Sequence, residues 1–129
     1  QWVVHALQPT ATEHGRIAGI NMAGQDLAYQ GSLSMNVLDT LGLISHTFGL
    51  WQGVDGGSVA EVADAELSLY TRLCFDGDQL VGAITIGHPQ HVGAIRGLIQ
   101  TRRHLGAWKE RLMQEPQRVM DALVDLSQA

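Results

Sequence analysis

The sequence predicts a single α+β domain, in which an antiparallel sheet of about four or five strands follows an N-terminal helix and precedes two or three C-terminal helices. Three observations predict it. The first 24 residues contain a helical pattern with start and stop signals, the middle of the chain contains short apolar segments separated by turns, and the last part has apolar residues at helical spacing. Because strands and helices occupy separate parts of the chain, the order is that of an α+β domain.

The N-terminal helix is predicted over residues 9–24, within the segment HALQPTATEHGRIAGINMAG. Thr10 and Glu13 have the spacing of a capping box, in which two side chains satisfy the free backbone N–H groups of the first turn. Gly24 can adopt the left-handed conformation that ends a helix. Two further glycines, Gly15 and Gly19, lie in the interior of the predicted helix, and each costs about 1 kcal/mol relative to alanine.

One face of the predicted helix is made mostly of small residues, at Ala11, Gly15, Ala18 and Met22. A face of this kind indicates that another backbone, or a flat ligand, comes very close to the helix. Tight packing inside the same domain explains the small residues equally well. The residues themselves leave both interpretations open.

Two short strands are predicted at about residues 35–41 and 43–50, where β-branched and aromatic residues are frequent and glycines interrupt any helical pattern. The next segment, WQGVDGGSVAE, covers residues 51–61 and has the composition of a loop, with three glycines close together.

The segment LSLYTRLCFDGDQLVGAITIG gives the clearest signal in the chain. Alternate residues from Leu67 to Phe75 are predicted to share one face of a strand, with Cys74 on the other face. The sequence Asp76-Gly77-Asp78 predicts a tight turn, and residues 79–86 form the returning strand.

The C-terminal part of the chain is predicted to be helical, and Pro116 is predicted to open the last helix. The inward-facing positions on the three apolar stripes are Val92, Ile95, Leu98 and Ile99, then Leu105, Trp108 and Leu112, and finally Val119, Met120, Leu123 and Leu126.

Composition excludes several classes of partner. The chain has 129 residues, 45% of them hydrophobic, with 8 basic and 13 acidic residues and a formal net charge of -5. Without a basic stripe, neither nucleic acid nor an anionic membrane is expected as a partner. No apolar run approaches the roughly 20 residues of a membrane span. Cys74 is the only cysteine, so a reducing cytoplasm is the expected setting. Because the chain begins with Gln1 and not with methionine, we expect that it is either processed or cut from a longer protein.

Local motifs do not predict catalysis or a metal site. Despite fifteen glycines, the chain contains no Gly-x-Gly pair, which excludes the dinucleotide-binding fingerprint and the glycine-rich kinase loop. His88 and His91 form the tightest histidine pair, but no Cys or carboxylate lies near them in sequence, so we interpret them as a solvated turn. Cys74 has no second cysteine and is predicted to be a buried, unreactive thiol. We therefore predict no catalytic and no metal-binding residues.

The helix and strand motifs together resemble the C-terminal part of FAD-dependent pyridine nucleotide-disulfide oxidoreductases, and most closely the branch that contains NADH:rubredoxin reductase and the flavin subunit of nitrite reductase. The family helix has the pattern Trp-Pro-x-Ala-x-x-Gln-Gly-Arg-x-Ala-Gly-x-Asn-Met-Ala-Gly. The matching residues are Pro9, Ala11, Gly15, Arg16, Ala18, Gly19, Asn21, Met22, Ala23 and Gly24, and a second family landmark matches at Val81, Gly82, Ala83 and Gly87. The chain departs from the family at Gln8, His14 and His88.

The resemblance implies that residues 1–129 form a single C-terminal interface domain of a larger flavoprotein. In relatives the small-residue helix is wedged against the FAD domain, and its N-terminus points at the pyrimidine end of the flavin. A helix N-terminus offers free N–H groups and a positive dipole end, which suit the negative charge of reduced flavin. The implied flavin-contacting residues are Leu7, Gln8, Pro9, Thr10 and Ala11.

The resemblance also implies partners and cofactors. The parent protein would transfer a hydride from NAD(P)H to FAD, and the nucleotide-binding domains would precede Gln1. This chain would be inactive alone, would contact its own FAD and NAD domains, and would form a homodimer. An alternative from another class is a free-standing protein-interaction module without a redox role, which would use the same helix face to hold a protein partner.

Overall fold

The computed structural model describes residues 7–87 and 91–129 and contains four helices and five strands in these ranges. A 3₁₀ turn at Pro116–Arg118 precedes the last helix. The elements in chain order are α1 (Gln8–Met22), β1 (Met35–Thr40), β2 (Leu43–Gly49), β3 (Ser58–Asp64), β4 (Leu69–Asp76), β5 (Gln79–Ile86), α2 (Val92–Thr101), α3 (Ala107–Gln114) and α4 (Val119–Gln128).

The five strands form one antiparallel sheet in the order β1-β2-β5-β4-β3, with β1 and β3 at its edges. An N-terminal helix, this sheet and three C-terminal helices make an α+β domain, so the predicted fold class is confirmed. Strands β1 and β2 coincide with the two predicted short strands to within a residue.

The central hairpin, β4–β5, forms as its sequence predicts. A two-residue turn joins the strands, and Gly77 has φ of +57°, which glycine adopts without steric cost. A register shift follows in this hairpin, where Cys74 pairs with Gly82 and Phe75 pairs with Leu80. The shift keeps both Phe75 and Leu80 on the face of the sheet that packs on the core.

Two predictions in this region are wrong. Residues 58–61, interpreted as loop, belong to edge strand β3, which pairs along its whole length with β4. Its alanines and acidic residues give a weak strand signal after the three glycines, although Ala60 does face the core. Leu67, predicted to face inward on a strand, lies in the β3–β4 turn and is 66% exposed. Its turn is closed by the Asp64 carboxylate, which accepts hydrogen bonds from the backbone N–H groups of Glu66 and Leu67.

The C-terminal helices cover one face of the sheet, here called the covered face. Their apolar stripes lie where the sequence predicts them, because residues three and four apart share one side of a helix. The largest fully buried side chains are Phe48, Phe75, Leu73 and Leu80 from the sheet and Ile95, Leu98, Leu112 and Val119 from the helices. In the part of the chain that the structure describes, no helix combines the length and apolarity needed to cross a membrane.

Candidate functional site

The entry of helix α1 contains the five residues that the resemblance implies as flavin contacts. Helix α1 begins at Gln8, and Pro9 lies in its first turn, where its missing N–H leaves no hydrogen bond unmade. Leu7 has the extended conformation of an N-cap, and its carbonyl accepts a hydrogen bond from Ala11 N at 3.0 Å. The backbone N–H groups of Gln8 and Thr10 lie in this first turn, where a helix supplies no acceptor of its own.

The predicted capping box is wrong. The helix begins two residues before Thr10, so this threonine is in its first turn and does not cap it. The Thr10 side chain is buried, and its Oγ1 makes no hydrogen bond within the described residues. The Glu13 carboxylate instead accepts a hydrogen bond from Ser32 Oγ at 2.8 Å, and Ser32 Oγ accepts one from the hydroxyl of Tyr29 at 2.7 Å.

Helix α1 is held by the segment that follows it, residues 25–34. The side-chain amide of Asn21 donates to Leu27 O at 3.0 Å, and its oxygen accepts from Leu27 N at 2.7 Å. The ring of His14 meets the ring of Tyr29 edge-on, with 4.5 Å between the ring centroids. Ile17 is the one apolar side chain of the helix that is buried. The attachment is therefore mostly polar and local in sequence.

The five candidate site residues differ in accessibility. Gln8, Pro9 and Ala11 are exposed, Leu7 is half-buried, and Thr10 is buried. Pro9 and Thr10 line a small polar cleft with Ser32, and Arg96 and Gln100 of helix α2 lie on its far side. The sequence analysis missed these two α2 residues. Their spacing of four places them on one side of α2, but only the docking of α1 brings that side to the helix entry.

The small-residue face of α1 lies open to solvent. Ala11, Gly15 and Ala18 are exposed, and Met22 is 84% exposed. A methyl group built at Gly15 or at Gly19 would meet no atom within 4 Å outside the helix backbone. The interpretation that these glycines serve tight packing inside the domain is therefore wrong for the described residues.

The second family landmark has a structural role. Gly82 is buried where the chain after β2 crosses the sheet, and a Cβ at this position would collide with the backbone of Leu50 and Trp51. The carbonyl of Val81 accepts a hydrogen bond from Leu50 N at 2.9 Å, which holds this crossing in place. Cys74, the strand partner of Gly82, is completely buried beneath the same segment, so the predicted burial of its thiol is confirmed.

Among residues 7–87 and 91–129, no three His, Cys, Asp or Glu side chains are placed to hold a metal ion. Burial lowers the pKa of the His46 imidazole, whose Nδ1 lies 3.2 Å from the hydroxyl of Thr85 on the covered face. Of the predicted His88–His91 turn, residues 88–90 lie outside the described residues, and His91 immediately precedes α2.

No protein-family model matches the chain, and a search of curated proteins gives no significant match.

Proposed function

We propose that this chain is the C-terminal interface domain of an FAD-dependent NAD(P)H oxidoreductase, and that it forms part of the flavin pocket wall. The observation that carries the proposal is the exposed small-residue face of α1. Two glycines in the interior of a helix cost about 2 kcal/mol together, and no contact within the described chain uses the space they leave. A partner that approaches the helix closely accounts for them.

The entry of α1 supports the kind of partner proposed. Gln8, Pro9 and Ala11 are exposed in the first turn, whose N–H groups have no acceptor within the helix, and this turn contains no acidic side chain. A helix N-terminus of this kind favours negative charge, as on N1 and O2 of reduced flavin. The edge of the flavin would contact the helix entry, and the FAD domain would lie along the small-residue face. Both contacts would then be made by adjacent surfaces of one partner.

The chain's share of the work is positioning and electrostatic support. Hydride transfer from NAD(P)H takes place on the flavin, and the residues at the helix entry would orient the ring and stabilise its reduced form. We propose the cytoplasm as the compartment of the parent protein. The reason is that this chain has a single cysteine, Cys74, which can form no disulfide within the chain.

To test the proposal, the gene that encodes this chain is expressed from its own start codon. The FAD content and NAD(P)H oxidation of the product are then compared with those of a Gly15→Glu variant. The expected product is yellow, contains FAD and oxidises NADH or NADPH. Gly15→Glu should lower the FAD content, because its longer side chain separates α1 from the FAD domain. The matched control is Gly93→Glu, since Gly93 is also an exposed helical glycine with open space around it.

Two outcomes would overturn the proposal. One is a gene product without nucleotide-binding domains upstream of Gln1, which would favour a free-standing interaction module. The other is a flavoprotein whose FAD content and activity are the same for Gly15→Glu, Gly93→Glu and the unchanged sequence.

A further inference from the structure

A small cleft lies between the entry of α1 and helix α2. It has a volume of about 90 Å³, and its apolar lining is formed by Pro9 in the first turn of α1 and by Leu33 and Met35 where the chain enters β1. Pockets for drug-sized ligands have volumes of about 300 Å³ or more. The size of this cleft therefore restricts it to a small molecule.

The hydroxyl of Thr10 is a buried polar group without a partner at this cleft. Thr10 lines the cleft and is only 4% exposed, and its Oγ1 makes no hydrogen bond within the described residues. Native proteins pair the large majority of such groups, because a buried hydroxyl without a hydrogen bond costs free energy. A ligand in the cleft that hydrogen-bonds to Thr10 would remove this cost.

The same wall of the cleft favours negative charge. Thr10 lies in the first turn of a helix of 15 residues, where backbone N–H groups have no acceptor within the helix. The positive end of the helix dipole lies here too. The unpaired hydroxyl and the helix terminus are independent features, and both suit a carboxylate.

Two opposite charges also line the cleft, Glu13 from α1 and Arg96 from α2. Within residues 7–87 and 91–129, neither side chain forms an ion pair with the other or with any other residue. The hydrogen bond that Ser32 Oγ donates at 2.8 Å holds the Glu13 carboxylate in place. Gln100, one turn after Arg96 on α2, adds a side-chain amide. The cleft therefore suits a ligand that carries both an anionic and a cationic group.

The spacing of the α1 residues sets the distance between the two groups of the ligand. Thr10 and Glu13 are three residues apart, so they are neighbours on the helix surface, with about 5–6 Å between their Cβ atoms. A carboxylate beside Thr10 and an ammonium beside Glu13 must then belong to one small molecule. An α-amino acid has this arrangement, with both groups on a single carbon.

We propose that the cleft binds a free α-amino acid with a small side chain, glycine or alanine. The carboxylate accepts hydrogen bonds from the Thr10 hydroxyl and from the guanidinium of Arg96, which faces it across the cleft. The ammonium donates to the Glu13 carboxylate, one turn further along α1. The apolar lining contacts the Cα atom and its substituent.

The two charges of the cleft also give it selectivity. An anion without an ammonium group meets the repulsion of Glu13, and a cation without a carboxylate meets that of Arg96. NMR titration of the purified, ¹⁵N-labelled chain at pH 7 and constant ionic strength measures this. Glycine and alanine should shift the backbone amide signals around Thr10 and Arg96, and acetate and methylammonium should each bind at least about tenfold more weakly.

Three substitutions test the roles of the charged and hydroxyl groups. Arg96→Gln and Glu13→Gln should each raise the dissociation constant of glycine at least about tenfold. Glutamine at position 13 still offers Ser32 an oxygen acceptor, so the hydrogen bond at this wall is kept. Arg102→Gln is the matched control, because Arg102 is exposed just after α2 and does not line the cleft, and its replacement should leave the dissociation constant unchanged.

Thr10→Val, the third substitution, separates a binding role from a structural one. Valine has nearly the shape of threonine and removes only the unpaired hydroxyl, so the Tm of the free chain should not fall. Glycine should raise the Tm of the unchanged chain, and this rise should be lost in Thr10→Val. Thr12→Val is its control, since Thr12 lies on α1 outside the cleft, where its hydroxyl donates to Gln8 O at 3.0 Å. The rise in Tm with glycine should persist in this control.

Four outcomes would overturn the proposal. They are the absence of any saturable shift with glycine or alanine, equal affinity for acetate and glycine, glycine binding that is unchanged in the three cleft variants, and a fall in the Tm of Thr10→Val. Equal affinity for acetate would identify a simple anion site. A loss of stability in both Glu13→Gln and Arg96→Gln, without any glycine binding, would show that these two side chains pair with each other in solution. None of these results bears on the FAD proposal, which is judged by the flavin content of the longer gene product.

Discussion

Nδ1 of His104 lies 2.7 Å from Oδ1 of Asp78, a contact that joins the β4–β5 turn to the segment between α2 and α3. The other carboxylate oxygen of Asp78 accepts a hydrogen bond from Gly106 N at 3.2 Å, and Asp78 O accepts one from Leu105 N at 2.9 Å. A residue identified in the sequence only as part of a tight turn therefore fixes the N-terminus of α3 against the sheet.

The Asp78 contacts predict an acid-sensitive element of stability. The hydrogen bond from His104, followed by that from Gly106, holds the pKa of the Asp78 carboxyl below its ordinary value. A carboxyl whose pKa is lower in the folded state adds stability above its unfolded pKa, and this contribution is lost as the pH falls through the folded value. Asp78→Asn should therefore lower the free energy of unfolding at pH 7 and flatten its decline below about pH 4.

Urea denaturation across this pH range measures the effect. Asp76→Asn is the control, because Asp76 lies in the same turn region but makes neither the bond to His104 nor the bond to Gly106. Equal pH profiles for Asp78→Asn and the unchanged chain would show that the contact contributes nothing.

The crossing of the chain over Gly82 predicts a large difference between two glycine substitutions. Gly82→Ala should destabilise the fold by about 3 kcal/mol, because its Cβ meets the backbone of Leu50 and Trp51. Gly93→Ala should instead stabilise the fold by about 0.5 kcal/mol, because Gly93 is helical and has open space around it. Thermal denaturation of both variants measures this difference in stability. Similar Tm values for the two variants would show that the chain does not pass closely over Gly82.

The isolated chain should be colourless and should not oxidise NADH. Binding of the adenosine and pyrophosphate of FAD needs the glycine-rich turns of a nucleotide-binding fold, and the chain contains no Gly-x-Gly pair. Purified chain mixed with FAD and NADH and then desalted should retain no flavin absorbance. Tight, stoichiometric retention of FAD would refute its description as one domain of a larger flavoprotein.

In the proposed full-length flavoprotein, Gln8→Trp should alter the flavin more than the fold. The family pattern that α1 resembles has tryptophan at this position, the proposed function places the position beside the flavin, and Gln8 is exposed at the entry of α1. Flavin fluorescence or potential should change, while the free energy of unfolding stays within about 0.5 kcal/mol, as is usual for an exposed position. Gln52→Trp, at another exposed glutamine on the loop before β3, should change neither.

The opposite result for Gln8→Trp would identify a structural residue. An unchanged flavin spectrum and potential, together with a large fall in Tm, would show that Gln8 supports the helix entry and does not contact flavin.

Periodicity alone determined most of the fold. The alternation around Cys74, the Gly77 turn and the helical stripes through Ile95 and Leu112 predicted their elements correctly, because spacing along the chain directly sets which side chains share a face. Strand β3 escaped prediction because its alanines and acidic residues, which disfavour strands, outnumber Val59 and Val62, and pairing with β4 supplies the stability that the segment's own strand preference lacks.

Only the tertiary structure decided which surfaces remain uncovered. The sequence showed that the face containing Gly15 is made of small residues, but not whether the domain covers it, since this depends on where segment 25–34 holds α1. The sequence also did not show that Leu41 has a left-handed backbone conformation and an exposed side chain. Nor did it show that a groove opens near Ile86, at the same end of the sheet. Local pattern determines each element, whereas exposure is a property of how distant elements pack, and it is known only once they are assembled.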